Sequence, residues 1–258
     1  MAKKTVEYPD STEATVLATK FLWLRLPAMA SAVNDLLERA SAENLTIAQA
    51  VSELCDEERN SRIRRSIDQR VKHARFPELS SIDGFDFDFC PTRKQLRAKY
   101  LGLHDLTFLD KGRNPLFIGP PGTGKTFLAR CLALRACQAQ RRVVFTSAPR
   151  MLTDLHGAEI HGVLDKALRR YVSPALLVID DFALLAMDPA QANLAFQVIA
   201  ERYEHHRSTA ITTNRPFKEW SKVFPDKLNA QVIAERLTDR AETFIMDGKG
   251  YRSNKNKP

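Results

Sequence analysis

Apolar positions recur with two different periods along this chain, and the change of period divides it. From residue 11 to about residue 75 the spacing is helical, with few glycines and no convincing strand. Ser11 is placed to cap a first helix that runs through FLWLRL and ends or bends at Pro27. A second helix is predicted from Pro27 to about Ala40, with Met29, Val33, Leu36 and Leu37 on one face. Thr46 and Gln49 have the spacing of a capping box for a third. That helix carries Ile47, Val51, Leu54, Ile63, Ile67 and Val71, and stops near Phe76-Pro77. Residues 77–91, PELSSIDGFDFDFCP, read as a linker whose three phenylalanines pack onto the next domain. After the helical stretch TRKQLRAKYLGLHDLTFLDKG the pattern changes. Short β-branched segments recur at LFIG, RVVFTS, ALLVID, STAITTN and TFIMD, mostly separated by helical patterns. Such alternation predicts an α/β domain, a parallel sheet with helices on both faces. The expected organisation is therefore a small all-helical domain (1–76), a linker (77–91) and an α/β domain (92–258).

The first of those strands leads into GPPGTGKT, which fits G-x-x-x-x-G-K-[ST] with Gly119, Gly124, Lys125 and Thr126 at the defining positions. Glycines let the backbone turn tightly so that N–H groups surround phosphate oxygens. A helix starting near Lys125 would aim its positive end at the same anion. The candidate nucleotide-binding set is Gly119, Pro120, Pro121, Gly122, Thr123, Gly124, Lys125, Thr126 and Phe127. Within it Lys125 would reach the β- and γ-phosphates, and the Thr126 hydroxyl would ligate Mg²⁺. ATP and Mg²⁺ are the expected cofactors. The plain alternative, a Gly/Pro turn that happens to fit, sits poorly between a strand and a helix.

ALLVIDD ends an apolar strand with two carboxylates at the edge where ligands of such sheets bind. Asp180 fits the acid associated with Mg²⁺, and Asp181 the position that polarises attacking water. STAITTN ends in Asn214, a neutral amide able to bind the γ-phosphate or the lytic water; Asn is also simply frequent at turns. Arg236 and Arg240 lie four apart on a short helix and share a face, and Arg252 stands in GKGYR. They either pair with surface acids at little gain or supply charge to a γ-phosphate, in trans from a neighbouring subunit.

Composition changes the picture in one respect. The formal charge of +8 suits a polyanionic partner, through steering and counterion release, although a basic surface can also bind nothing. Between Arg59 and Arg75 there are seven Lys/Arg and one acid, Asp68. Candidate DNA contacts are Arg62, Arg64, Arg65, Arg70 and Lys72 there, or Lys166, Arg169 and Arg170 further on. The same pattern fits a solvated helix exterior. No apolar run is long enough to cross a bilayer, and MAKKTVEYPD has no signal-like core, so a cytoplasmic protein with no membrane partner is expected. Cys55, Cys90, Cys131 and Cys137 lack C-x-x-C spacing and read as reduced, mostly buried thiols. There is no internal repeat, and the only low-complexity stretch is the tail SNKNKP.

Taken together, the phosphate loop, the paired acids, Asn214, the Arg240 motif and the final G-x-x-Y-R resemble an AAA+ ATPase of the DnaC-like helicase-loader group. Within that group the chain is most similar to the IstB family of insertion-sequence helpers, over nearly its whole length. LRLPAMASAVNDLLERA and NRPFKEW are the discriminating phrases, since the ATPase motifs are shared with loaders. The resemblance implies a P-loop NTPase fold, with Arg240 as an arginine finger, Arg252 as a sensor-2 arginine and Arg236 in support. It also implies ATPase activity, ATP-dependent assembly of a homo-oligomer on double-stranded DNA, and recruitment or activation of a cognate transposase (IstA type). A replicative helicase loader is the alternative function. Eighteen residues follow Arg240, too few for a separate helical lid, as in DnaC-like proteins. Three positions depart from the family pattern. Asp181 stands where Glu is frequent, shortening the carboxylate's reach by about 1.3–1.5 Å, from which slow turnover is expected. Ala183 replaces a frequent Gly, and Gly250 a usual Ser; neither removes a reacting group.

Overall fold

The computed structural model describes residues 13–247; the Ser11 cap and the GKGYR motif lie outside the described residues. Its contacts divide the chain into two compact units, one up to Asp68 and one from Gln69 onward.

The first unit is built from α1 (Glu13–Trp23), α2 (Pro27–Glu43) and most of α3 (Ile47–Ala74). α1 stops at Trp23, before FLWLRL is complete. Arg25 turns left-handed (φ 60°), the Leu26 N–H donates to Phe21 O at 2.8 Å and the Arg25 N–H to Leu22 O at 3.0 Å. This is a Schellman closure with arginine in the place usually taken by glycine, and it ends the helix ahead of Pro27, the stop expected from the sequence. α2 continues three residues past Ala40 and ends on a left-handed Asn44 (φ 53°), with the Asn44 and Leu45 N–H groups both donating to Ala40 O. Met29, Val33, Leu36 and Leu54 form the small core, whereas Leu37, Ile47 and Val51 of the expected apolar faces are exposed. The Thr46–Gln49 capping box forms, with bonds of 2.8 and 3.3 Å. Glu58 is buried and turns its carboxylate onto the start of α2, accepting from the Ala28 N–H at 2.9 Å and the Met29 N–H at 3.4 Å. These are first-turn donors that no helical carbonyl can satisfy. Burial raises the Glu58 pKa, but the Arg62 hydrogen bond and the two backbone donors outweigh it and hold the carboxyl below its usual value.

The second unit contains α4 (Pro91–Gly102), the single turn α5 (Thr107–Asp110), β1 (Asn114–Ile118), α6 (Lys125–Gln138) and β2 (Val143–Ser147). There follow α7 (Ala148–Ile160), α8 (Leu164–Val172), β3 (Leu176–Asp180) and α9 (Pro189–Glu204). The last elements are β4 (Ser208–Thr213), α10 (Lys227–Thr238) and β5 (Ala241–Ile245). The five strands form one parallel sheet in the order β2-β3-β4-β1-β5. All five fall on the segments expected from the sequence, and the near-complete burial of β1, β2, β3 and β4 explains their continuous apolar runs, whereas the edge strand β5 is only partly buried. One face carries a core centred on Met151, Leu155, Val198, Trp220 and Ile233, the other on Tyr100, Phe117, Leu128, Leu132 and Phe244.

Residues 77–91 belong to this second core. Phe85 and Phe87 are buried beside Tyr100, and Phe89 is half-buried. The segment follows α6 from its C-terminal end toward its N-terminal end. Arg70 Nε donates to Gln140 O (2.7 Å), Arg130 pairs with Glu78 (2.8 Å) and the Cys131 thiol meets Ser80 O (3.3 Å). Cys131 and Cys137 are buried, their thiols pushed up to about 12 by desolvation. Cys90 is half-buried and Cys55 exposed, so the expectation of mostly buried thiols holds for two of the four. Among the described residues no helix is long and apolar enough to cross a membrane.

Candidate nucleotide site

β1 ends at Ile118, and the next residue has no room for a side chain beside the residue that follows β5: a Cβ on Gly119 would lie 2.1 Å from Met246 O. The loop then closes on Gly124 (φ 101°), where a Cβ would lie 2.6 Å from the Phe85 ring. α6 starts at Lys125, so its unsatisfied N–H groups open into the loop. Lys125 is buried and its Nζ donates to Pro120 O at 2.7 Å, the carbonyl that also takes the Thr123 hydroxyl at 2.9 Å. Desolvation lowers the Lys125 pKa, while Asp181 and Asp180 pull it back up.

β3 delivers the two acids to the same place. The Thr126 hydroxyl donates to Asp180 Oδ1 at 2.8 Å, and Thr212 on β4 donates to the same oxygen. Thr212 Oγ also accepts the Asp181 N–H at 3.0 Å. One hydroxyl therefore orients the first carboxylate and fixes the backbone that carries the second. Asp181 is left-handed (φ 55°), a conformation Asp tolerates better than Glu does. Ala183 is also left-handed (φ 56°), the physical reason a glycine suits that position. Burial, and next the charge of Asp180, raise the Asp181 pKa against the pull of Lys125.

Lys125, Thr126, Phe127, Asp180, Asp181 and Asn214 border one cleft of about 400 Å³, with Pro121, Gly122 and Gly124. This lies within the range of ligand pockets. Gly119, Pro120 and Thr123 shape the loop behind it. The sequence reading missed the opposite wall, Gly84, Phe85, Asp86 and Arg93, and it missed Arg130 and Thr212. The phenylalanines of FDFDF announced burial but not a position, and nothing marked Arg93 or Thr212.

Arg236 and Arg240 are elsewhere. The Arg240 carbonyl accepts from the Asn114 N–H at the beginning of β1, whereas the phosphate loop follows the end of that strand. The intervening strand is roughly 13–16 Å long. Arg236 lies over the Phe196 ring (4.9 Å) and keeps a buried Nη1 without a hydrogen-bond partner among the described residues. Arg240 lies over Tyr203 (5.2 Å), meets His206 Nδ1 and has Asp239 at 3.5 Å. Arg252 is outside the described residues.

The candidate DNA contacts divide into engaged and exposed. Arg62 and Arg65 reach Glu58 at 2.8 and 3.5 Å, Arg70 holds Gln140 O, and Arg170 pairs with Asp154 at 3.0 Å. Among the described residues Arg64 has Glu57 at 4.0 Å, and Lys72, Lys166 and Arg169 are exposed.

A phosphate loop after β1, paired acids after β3 and an amide after β4, on a sheet ordered β2-β3-β4-β1-β5, define an AAA+ P-loop NTPase fold. The crystal structure of the DnaC helicase loader superposes with a TM-score of 0.58 at 20% identity, covering 65% of this chain and 97% of that one. AMPPCP-bound DnaA from Aquifex aeolicus gives 0.53 at 20% identity, covering 66% and 51%. The family described as IstB-like ATP binding protein matches residues 19–258, and the chain belongs to that family. Relatives include the protein named as the ATP-binding protein of insertion sequence IS5376 of Geobacillus stearothermophilus. It is 35% identical over 89% of this chain and 90% of its own length. The corresponding protein of IS21 of Pseudomonas aeruginosa is 32% identical over 89% and 85%.

Proposed function

We propose that this chain is an ATP-dependent helper of transposition, which assembles on target DNA and recruits or activates a cognate transposase in the cytoplasm. The observation that carries the reading is the convergence of Lys125, Thr126, Asp180, Asp181 and Asn214 on one cleft. It is supported by the insertion-sequence names of relatives that match nearly end to end.

The loop 119–126, the N–H groups at the start of α6 and Lys125 would hold the triphosphate of ATP, Lys125 exchanging Pro120 O for a phosphate oxygen. Thr126 Oγ and Asp180 Oδ1, 2.8 Å apart at the cleft, are hard oxygen donors suited to Mg²⁺. When bound, the ion would neutralise charge on the β- and γ-oxygens. Asp181 orients the attacking water, its raised pKa favouring acceptance of the water's proton. Asn214 contributes an uncharged hydrogen bond to the γ-phosphate or that water. The water oxygen forms a bond to phosphorus as the β–γ bridging bond breaks, leaving ADP and phosphate. Asp181 reaches less far than Glu, so hydrolysis is slow and ATP acts chiefly as an assembly clamp. A turnover above several per second for the DNA-bound protein would contradict this.

Arg240 stands a strand's length from its own loop, which suits a guanidinium offered to the γ-phosphate of a neighbouring protomer. Arg236 supports it, and Arg252 takes the sensor-2 role. ATP then bridges protomers, and the helical domain (residues 1–76) meets DNA or a partner protein. The test is particle size on long duplex DNA with ATP, with ADP and without nucleotide. Growth to a large assembly only with ATP is expected. A chain that remains a monomer with saturating ATP and DNA overturns the reading.

A further inference from the structure

Arg93 is 5% exposed, although it is charged and lies at the edge of an open cleft. Its guanidinium is stacked over Phe85 (4.5 Å) and Phe89 (4.8 Å), two rings of the segment that sequence alone reads as a linker. One terminal nitrogen donates to Asp86 O at 3.1 Å, and the other to Thr123 O at 2.9 Å. The second bond is the informative one, because Thr123 belongs to the phosphate loop.

The Thr123 carbonyl and the Gly124 N–H are parts of one trans peptide and point in opposite directions. Holding the carbonyl therefore fixes the direction of the N–H. Gly124 immediately precedes α6, so this N–H is among those that a phosphate loop turns toward its anion. The peptide on either side of Gly124 has little stiffness of its own, since φ there is 101° and only glycine samples that region freely. The Phe85 ring, stacked under the same guanidinium, packs directly against the loop: a Cβ on Gly124 would lie 2.6 Å from it.

We propose that Arg93 is a positioning residue for nucleotide binding, which sets the Thr123–Gly124 peptide in its phosphate-binding orientation and seals the segment around Phe85 onto the loop. The inference rests on reading the cleft as a nucleotide site. It makes residues 85–93 a structural part of that site, and ties the affinity of the loop to a side chain more than twenty positions before it. The gain is preorganisation: a loop already shaped for its ligand loses less entropy on binding.

The test is titration of the full chain with AMPPCP and with ADP, for wild type, Arg93→Met and Arg93→Lys, with melting temperatures recorded for each. Arg93→Met should bind both nucleotides roughly tenfold or more weakly, as expected for loss of a charge-assisted hydrogen bond at the loop. Arg93→Lys keeps the charge but lacks the planar fork that reaches the Asp86 and Thr123 carbonyls together while stacked on the rings, and should lose about threefold, partial rescue. Because the Gly124 N–H serves phosphates common to both ligands, the loss should be the same for AMPPCP and ADP. Unchanged affinities in a folded Arg93→Met protein would make Arg93 a fold residue only and overturn the proposal. So would a loss confined to AMPPCP, which would make it a direct ligand of the γ-phosphate. If Arg93→Met does not fold, Arg93→Lys decides by itself, and wild-type affinity there overturns the proposal. Lys125→Ala separates this from the underlying reading: if it binds both nucleotides normally, the cleft is not the nucleotide site.

Discussion

Asp181 concentrates the conflict between stability and chemistry in a single side chain. Burial and the neighbouring Asp180 raise its pKa, and Lys125 only partly compensates. A carboxyl that holds its proton more tightly folded than unfolded takes up protons on folding. Its contribution to stability therefore falls as pH rises from the ordinary carboxylate value through the raised folded one. Asp181→Asn removes the charge, and Asn accepts the left-handed backbone at this position. At pH 7 the variant should melt higher than wild type by roughly 1–3 °C while losing hydrolysis, and the difference should vanish in acid. Equal melting at pH 7 would show that the ionised carboxylate costs the fold nothing. The residue types of this site were legible in the sequence because phosphate, metal and water each demand particular groups at the end of a strand. Thr212 was not: a threonine in a β-strand is expected on propensity alone, and only the packing of β4 beside β3 gives its hydroxyl two partners.

At the level of elements, the strands were legible and their order was not. Five short apolar runs separated by helical patterns can be assigned one by one, whereas the placement of β1 between β4 and β5 depends on contacts far apart in sequence. The same holds for Arg202, an arginine on a helix whose surroundings gave no hint of its use. It is 1% exposed near the end of α9, and donates to the carbonyls of Tyr171, Val172, Pro174 and Ser208 and to the Thr209 hydroxyl. This single fork ties α9 to the turn entering β3 and to the start of β4. Arg202→Leu would preserve much of the volume but leave those buried carbonyls without a donor, at about 1–3 kcal/mol each where water cannot replace it. The expected result is a melting temperature lowered by roughly 10 °C or more. Arg202→Lys should rescue little, because an ammonium has three donors and no planar fork. Melting within a few degrees of wild type for Arg202→Leu would mean that water satisfies the carbonyls instead.

For the whole molecule, the location of the charge matters more than its total. Up to Asp68 there are nine Lys/Arg against eleven Asp/Glu, and from Gln69 thirty against twenty, so the excess of +8 resides entirely in the second unit. The arginine run of α3 looked like a phosphate-contacting face because the acids that answer it lie a turn or two earlier in the same helix. Arg62 and Arg65 are engaged with Glu58, a carboxylate that also caps α2. Removing Arg62 therefore disturbs the fold of the helical unit before it disturbs any ligand. Lys166 and Arg169, exposed on α8 in the positive unit, have no such duty among the described contacts. If they meet phosphates, each releases counterions on binding, and the slope of log affinity against log salt records how many. Lys166→Ala combined with Arg169→Ala should weaken duplex binding and make that slope shallower by about 2, with melting unchanged. Arg62→Ala should do the reverse, lowering the melting temperature with the slope intact. An unchanged slope in the double variant, or a shallower one in Arg62→Ala, would move the DNA-binding face from α8 to α3.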